Sequence, residues 1–347
     1  MAFPEKPAPL AESLHFVLPA DHELPSGGNI YNEKLISALQ ALGQEINKVT
    51  FEQYREALIR QDKGIYLVDS LFVEELRQLN TSLPAGMYSI FIMHHLQSLD
   101  PPQGISTHDY FEQHERKALE MFNAFLATSP FSAHYLAQQG LTQPKLVVEP
   151  ALSISKSPVS FSHWPVQALM VANVVARKGI LPFLEALSEL ADAADHFSLR
   201  IIGRTDMEKD YAQRCQQLAA SPVLRDKIKL QGPLPYEKTL EQYARHNLFV
   251  SAARMETYGM ALQEARSTGL PLLLLEGGYS RQHISQGAGR AFTSVFDLAK
   301  FFIELCRNPA RFIKLGSEAQ ASVLKQPAYD WQQAAQLFLT QIRNFYP

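Results

Sequence analysis

Short apolar runs and amphipathic stretches alternate along most of the chain. Residues 14–19, 64–69, 88–93, 124–129 and 145–150 are compact apolar runs bounded by turn residues. Runs of that length without polar alternation are the pattern of strands buried on both faces. Between them, Tyr31, Leu35, Leu39 and Leu42 recur at near-helical spacing and stop at Gly43. Further helices are predicted near 51–60, 70–79, 107–122 and 132–139, the last stopped by Gly140. The alternation resumes with strands over 168–173, 198–203, 227–232, 248–252 and 272–275. The intervening helices run through Leu184, Leu187 and Leu190, around 207–219, near 236–245 and from Met260 to the stop at Gly269-Leu270-Pro271. Helices near 296–307 and 308–324 follow, and a last one carries Trp331, Ala334, Ala335, Phe338, Leu339, Ile342 and Phe345 on a broad apolar face. Strands alternating with helices imply α/β architecture with parallel, doubly wound sheets.

The pattern breaks twice. Residues 1–11 read as a proline-rich flexible tail, and residues 153–165, dominated by serine and proline, read as an interdomain linker. The expected organisation is a first domain over 12–152, a second over 166–325 and a terminal helix over 326–347. No internal repeat or low-complexity tract interrupts it.

Composition agrees with two packed domains: 347 residues, 46% hydrophobic and 19% charged. No apolar run reaches membrane-spanning length, and the first residues lack the apolar core of a secretion signal, so a cytoplasmic location and no transmembrane segment are expected. Cys215 and Cys306 lie far apart in predicted helices and read as packed thiols rather than a disulfide or metal site. The net charge of -3 is unevenly spread: residues 1–155 hold 10 basic and 18 acidic side chains, residues 156–347 hold 22 and 17. The acidic half argues against a nucleic-acid or anionic-membrane partner. The basic half suits a phosphate-bearing ligand, beside the open alternative of two solvated surfaces that merely differ.

The candidate chemistry gathers around Glu256 and Glu264, with seven residues between them. Glu256 falls in the loop after a short strand, and Glu264 inside the helix that begins at Met260. Backbone N–H groups around Tyr258, Gly259 and Met260 stand at that helix's N-terminus, an end that suits phosphate. Taken alone, two such glutamates also fit an ordinary exposed helix. Ser26-Gly27-Gly28-Asn29 links a strand to a helix, a layout for close phosphate approach as well as for a simple turn. Arg177-Lys178-Gly179 follows a buried strand, and His94 and His95 end another, where strand ends of doubly wound sheets face the ligand crevice. The His-His pair lacks the further ligands of a metal site. No Asp-x-Asp motif, Gly-x-Ser-x-Gly elbow, Walker loop or Gly-x-Gly-x-x-Gly fingerprint is present, which weakens hydrolase, nucleoside triphosphatase and dehydrogenase readings.

The order strand, small residues, Glu-x-Tyr-Gly, helix, Glu-Ala, Gly-Leu-Pro and the apolar run 272–275 resembles the donor site of retaining nucleotide-sugar glycosyltransferases of the GT-B fold, the family 4-like, group 1 enzymes. The resemblance covers most of residues 12–320 and is densest at 168–180 and 248–279. It implies two Rossmann-like lobes with parallel sheets facing a central cleft, an acceptor-side N-terminal lobe, a donor-binding C-terminal lobe and a final helix crossing back to the first. It assigns Glu264 to the ribose diol. Glu256, with Tyr258 and the amides of Gly259 and Met260, is assigned to the sugar. Lys178 and Arg177 would stabilise the departing diphosphate, Gly27 and Gly28 would approach the phosphate from the N-terminal lobe, and His94, or else His95, would orient the sugar. No covalent nucleophile is identifiable, so front-side displacement is the mechanism implied. The donor is a nucleotide-diphosphate sugar, the acceptor an unidentified glycan, lipid-linked or small molecule, and no divalent metal or other cofactor is called for. One departure stands out: Ala172-Asn173 occupies the place where the family often has Gly-Arg, and an amide carries no charge. An epimerase on the same scaffold, or a catalytically silent sugar-nucleotide or glycan-binding protein, remain the alternative readings.

Overall fold

A computed structural model of the chain describes residues 9–20, 22–24, 26–79, 81–152, 164–192, 194–323 and 329–346. Most of the expected tail and linker, residues 1–8 and 153–163, lie outside them. The chain divides into two compact units, Met1–Ala151 with Tyr329–Pro347, and Leu152–Ala328.

The first unit alternates β1 (Leu14–Val17), α1 (Gly27–Ala41), β2 (Ile46–Val49), α2 (Phe51–Arg60), β3 (Gly64–Asp69), α3 (Val73–Gln78) and β4 (Met87–Met93). It continues with α4 (Thr107–His114), α5 (Arg116–Leu119), β5 (Ala124–Ala127), α6 (Pro130–Gln138) and β6 (Lys145–Val147). The strands form one parallel sheet in the order β2-β1-β3-β4-β5-β6. Ser26, Thr50, Ser106 and Ser129 cap α1, α2, α4 and α6 by accepting a backbone N–H. Because Ser26 is the cap, Gly27 and Gly28 form the first turn of α1 rather than the loop before it. The single helix expected over 107–122 is interrupted at Glu115. That residue is buried: its carboxylate accepts the Ser98 N–H at 3.1 Å and the Ser98 hydroxyl, which also meets the Tyr135 hydroxyl. Burial pushes the Glu115 carboxyl above its usual range, against the pull of these hydrogen bonds.

The second unit runs β7 (Val166–Val171), α7 (Ile180–Leu190), β8 (Phe197–Ile202), α8 (Lys209–Ala219), β9 (Ile228–Gly232), α9 (Tyr236–Tyr243) and β10 (Leu248–Ser251). It ends with α10 (Met260–Ser267), β11 (Leu272–Leu275), β12 (Gly289–Phe292), α11 (Val295–Arg307) and α12 (Pro309–Val323). Its sheet is parallel in the order β12-β11-β10-β7-β8-β9. The chain builds outward from β7 to β9, then reverses at β10 and builds the other way. The reversal lies between β7 and β10, and ligands of such sheets bind outside the carboxyl ends of the strands at that point. Phe302 of α11 anchors one face of the core, meeting Phe183 and Phe197 edge-on at 6.0 and 5.1 Å. Cys215 and Cys306 are buried free thiols within α8 and α11.

The last helix, α13 (Trp331–Arg343), belongs to the first unit, where it packs on α1 and beside β6. Trp331 meets Tyr31 edge-on at 5.6 Å. The Gln341 amide bonds both main-chain groups of Val147, at 2.8 and 3.1 Å, so a side chain takes the place of a neighbouring strand at the sheet edge.

Candidate functional site

The exits of β7 and β10 are pressed together main chain to main chain. After β7 the chain makes a 3-10 turn at Ala176–Lys178 and enters α7 at Gly179. Gly179 has φ +63°, and a Cβ there would stand 2.0 Å from the Ala252 carbonyl oxygen. Only glycine allows both the left-handed backbone and the approach. Alongside, the Arg254 N–H donates to the Arg177 carbonyl at 3.1 Å. This seam carries Lys178 to Glu256: Nζ lies 2.5 Å from Oε1, with the two side chains only 14% and 15% exposed. Burial pushes the Lys178 ammonium below its usual range, while Glu256 opposes the change.

The loop carrying Glu256 is buttressed by the exit of β11. The Tyr279 N–H donates to the Glu256 carbonyl at 2.7 Å, and Glu256 and Gly278 form an isolated parallel bridge. The Tyr258 ring is buried, stacked on Tyr279 at 5.5 Å, and His283 stands edge-on to both. His283 Nε2 lies 2.7 Å from the Tyr258 carbonyl. A carbonyl only accepts, so Nε2 carries the proton. Burial pushes this imidazole down to about 4, so it is neutral near pH 7. Gly259, φ +92°, is the N-cap of α10 and offers no side-chain cap to the amides that follow, Met260 among them.

Glu264, the fifth residue of α10, is 5% exposed. The Tyr236 hydroxyl donates to its Oε1 at 2.8 Å and the Tyr243 hydroxyl to its Oε2 at 2.7 Å. Burial pushes the carboxyl up to about 7, although both tyrosines pull it down. Asn173 ties two strand exits together. Its Oδ1 accepts the Arg204 N–H at 3.1 Å, its Nδ2 meets Met207 Sδ at 3.4 Å, and the Val174 N–H donates to the Arg204 carbonyl at 2.8 Å. Arg204, beyond β8, thus sits beside the position that lacks a cation, its guanidinium paired with Asp206 at 3.0 Å.

In the first unit, Gly28 and His94 are brought together: a Cβ on Gly28 would stand 3.0 Å from His94 Cδ2. His94 Nε2 donates to Asn32 Oδ1 at 2.9 Å and lies 3.4 Å from Asp69 Oδ2, while Asn32 Nδ2 donates to the same Asp69 oxygen at 2.7 Å. Burial lowers the His94 pKa, with Asp69 opposing. The N–H groups of His94 and His95 both reach Ser70 Oγ, at 3.2 and 3.4 Å. Gly27 is exposed at the helix tip.

Lys178, Glu256, Tyr258, Gly259, Met260 and Glu264 therefore share the second unit with Arg177, and Gly28 and His94 meet in the first. Sequence reasoning missed Asn32 and Asp69, which hold His94, and Tyr236, Tyr243 and His283. Tyr236 and Tyr243 stand seven apart, on one face of α9, but spacing does not reveal that this face meets Glu264.

Comparison with known proteins gives the frame for this geometry. Residues 158–318 match the family described as glycosyl transferases group 1. That match spans a little under half of the chain and coincides with most of the second unit. A stretch of 106 residues, 30% of the chain, is 29% identical to the serotype-specific mannosyltransferase WbdA of Escherichia coli, and it spans 13% of that protein's length. Sucrose-phosphate synthase from Thermosynechococcus elongatus superposes with a TM-score of 0.73 at 16% identity, covering 96% of this chain and 99% of that one. HepE from Anabaena, solved with UDP and glucose, superposes at 0.72 with 14% identity over 96% and 99%. The fold is GT-B, and the β7–β10 crossover with Lys178, Glu256 and Glu264 lies within the residues that match the family. Among the described residues no helix is long and apolar enough to cross a membrane.

Proposed function

We propose that the chain transfers a sugar from a nucleotide-diphosphate donor to an acceptor with retention of configuration. The observation that carries this reading is the Lys178–Glu256 pair at the crossover of the second sheet. A diphosphate arriving there gives Lys178 a second anionic partner and leaves Glu256 to accept a sugar hydroxyl. Negative charge grows on the leaving diphosphate in the transition state, and a fixed ammonium lowers that barrier. Arg177 adds charge beside it. The Gly259 and Met260 amides face the same donor at the start of α10. Glu264 accepts the ribose diol. For the first unit the reading keeps the roles that the resemblance gives His94, which is held by Asn32, and Gly27 and Gly28. No side chain is assigned as a covalent nucleophile, so front-side displacement is the route, and no divalent ion takes part. A cytoplasmic location goes with such a donor.

The mannosyltransferase name of the Escherichia coli relative and the UDP and glucose bound by the Anabaena protein support this class of donor. The test is a thermal-shift screen of UDP-, GDP- and ADP-sugars, since a ligand of the native state raises the melting midpoint. Donor turnover should then be followed with the anomer of the product read by NMR, with and without a chelator. Lys178→Ala is expected to cut turnover by roughly 100-fold or more, and Glu264→Ala to weaken donor binding. Full binding and turnover in both variants would overturn the assignment.

A further inference from the structure

We infer that Tyr236 is a positioning residue for ribose recognition: its hydroxyl fixes the plane in which Glu264 presents one free acceptor site on each oxygen to a vicinal diol. This rests on the donor reading above and concerns the same site. An ionised carboxylate has about four lone-pair directions. In Glu264 two are taken, one on each oxygen, by Tyr236 and Tyr243. One acceptor direction per oxygen remains, which matches the two neighbouring O–H donors of a ribose.

The two tyrosines are not equivalent. Tyr243 is fully buried, tilted against Phe249 at 5.8 Å, and is part of the core. Tyr236 is half-buried and opens α9, immediately after Gly232-Pro233-Leu234-Pro235 leaves the carboxyl end of β9. It therefore stands at the carboxyl end of the sheet, the end outside which ligands of such sheets bind. It is not among the buried core residues that Tyr243 joins, so removing its hydroxyl leaves the core intact. Without that hydroxyl, Oε1 is no longer anchored, the carboxylate turns about its Cγ–Cδ bond, and the second acceptor direction is lost to the diol.

The experiment compares wild type with Tyr236→Phe by calorimetric titration of UDP, GDP and ADP and of their 2′-deoxy forms on the alkaline side of neutrality, where the Glu264 carboxyl is ionised. Wild type is expected to prefer the ribose form by about tenfold or more, the usual effect of a hydrogen bond to a charged group. Tyr236→Phe is expected to lose most of that preference. Its affinity for the ribose form falls while the affinity for the deoxy form changes less than about twofold, the scatter expected of context effects. Donor KM should rise with kcat at saturation unchanged. An unchanged ribose-to-deoxy ratio, or an equal loss for both forms, overturns the role given to Tyr236 while leaving the donor site standing. Failure of every nucleoside diphosphate to bind wild type overturns both.

Discussion

Glu264 and His283, on α10 and in the 3-10 stretch packed beside it, are perturbed in opposite senses. The Glu264 carboxyl is pushed from 4.5 up to about 7. Below 4.5 it is neutral in folded and unfolded chains alike. Between 4.5 and 7 the unfolded chain releases its proton and the folded chain keeps it, so stability falls as pH rises, and above 7 the loss is complete. The shift corresponds to about 3 kcal/mol. His283 is pushed from 6.5 down to about 4, so over that window the unfolded chain holds a proton that the folded chain refuses, and stability rises with pH. The two windows overlap and mask each other in wild type. Glu264→Gln removes one of them. The stability difference between Glu264→Gln and wild type, from urea unfolding at pH 4.5 and 7.5, is expected to grow by about 3 kcal/mol in favour of the variant. A constant difference would mean that Glu264 titrates at its ordinary value in the fold.

At the scale of elements, the seam between the exits of β7 and β10 decides where Lys178 and Glu256 meet. Gly179→Ala places a Cβ into the Ala252 carbonyl oxygen and forces alanine into a left-handed backbone. The backbone conformation alone costs about 1–3 kcal/mol, and the clash must be relieved by moving the strand exits apart. The variant is expected to lose about 2–4 kcal/mol in chemical unfolding, in the range of strained substitutions, together with its affinity for a nucleoside diphosphate in titration. Retention of both would show that the exits are not held at that distance. The elements carrying this seam were legible in the chain because their apolar runs are buried on both faces, as in Leu272–Leu275. β2 and β12, the edges of the two sheets that were not foreseen, are legible to a much smaller degree. Ile46–Val49 is half-exposed with Lys48 in its middle, and Gly289–Phe292 carries the exposed Arg290, so neither has an apolar run to read. The break at Glu115 escaped for a related reason. A glutamate in an amphipathic stretch reads as solvent-facing, and only the fold places Ser98 and Tyr135 where they can receive it. The same holds for the site: spacing marked Glu256 and Glu264, but their partners Lys178, Tyr236 and Tyr243 lie 78, 28 and 21 residues away, distances that no local pattern reports.

For the whole molecule, the decisive feature is that chain order and structural membership part company at the C-terminus. Residues of α13 follow the second unit in sequence but complete the core of the first. Ala334, Ala335, Phe338, Leu339 and Ile342 are all fully buried, and the helix covers α1 and the β6 edge. Each unit has its own sheet and its own apolar core, so a defect in α13 is expected to be felt on one side only. Phe338→Ala removes a fully buried ring and is expected to cost about 3–5 kcal/mol. Hydrogen exchange resolved by peptide is the measurement that locates the loss. Faster exchange is expected in β1, β3 and β4, where the sheet of the first unit is most deeply buried, with β7, β8 and β10 unchanged. Titration with a nucleoside diphosphate separates the same two possibilities from the side of function. If nucleoside-diphosphate binding depends on the second unit alone, as proposed, the affinity of Phe338→Ala stays at the wild-type value while its first unit loosens. If exchange accelerates equally in both sheets, the two units unfold as one cooperative body, and the terminal helix stabilises the second unit as well as its own core.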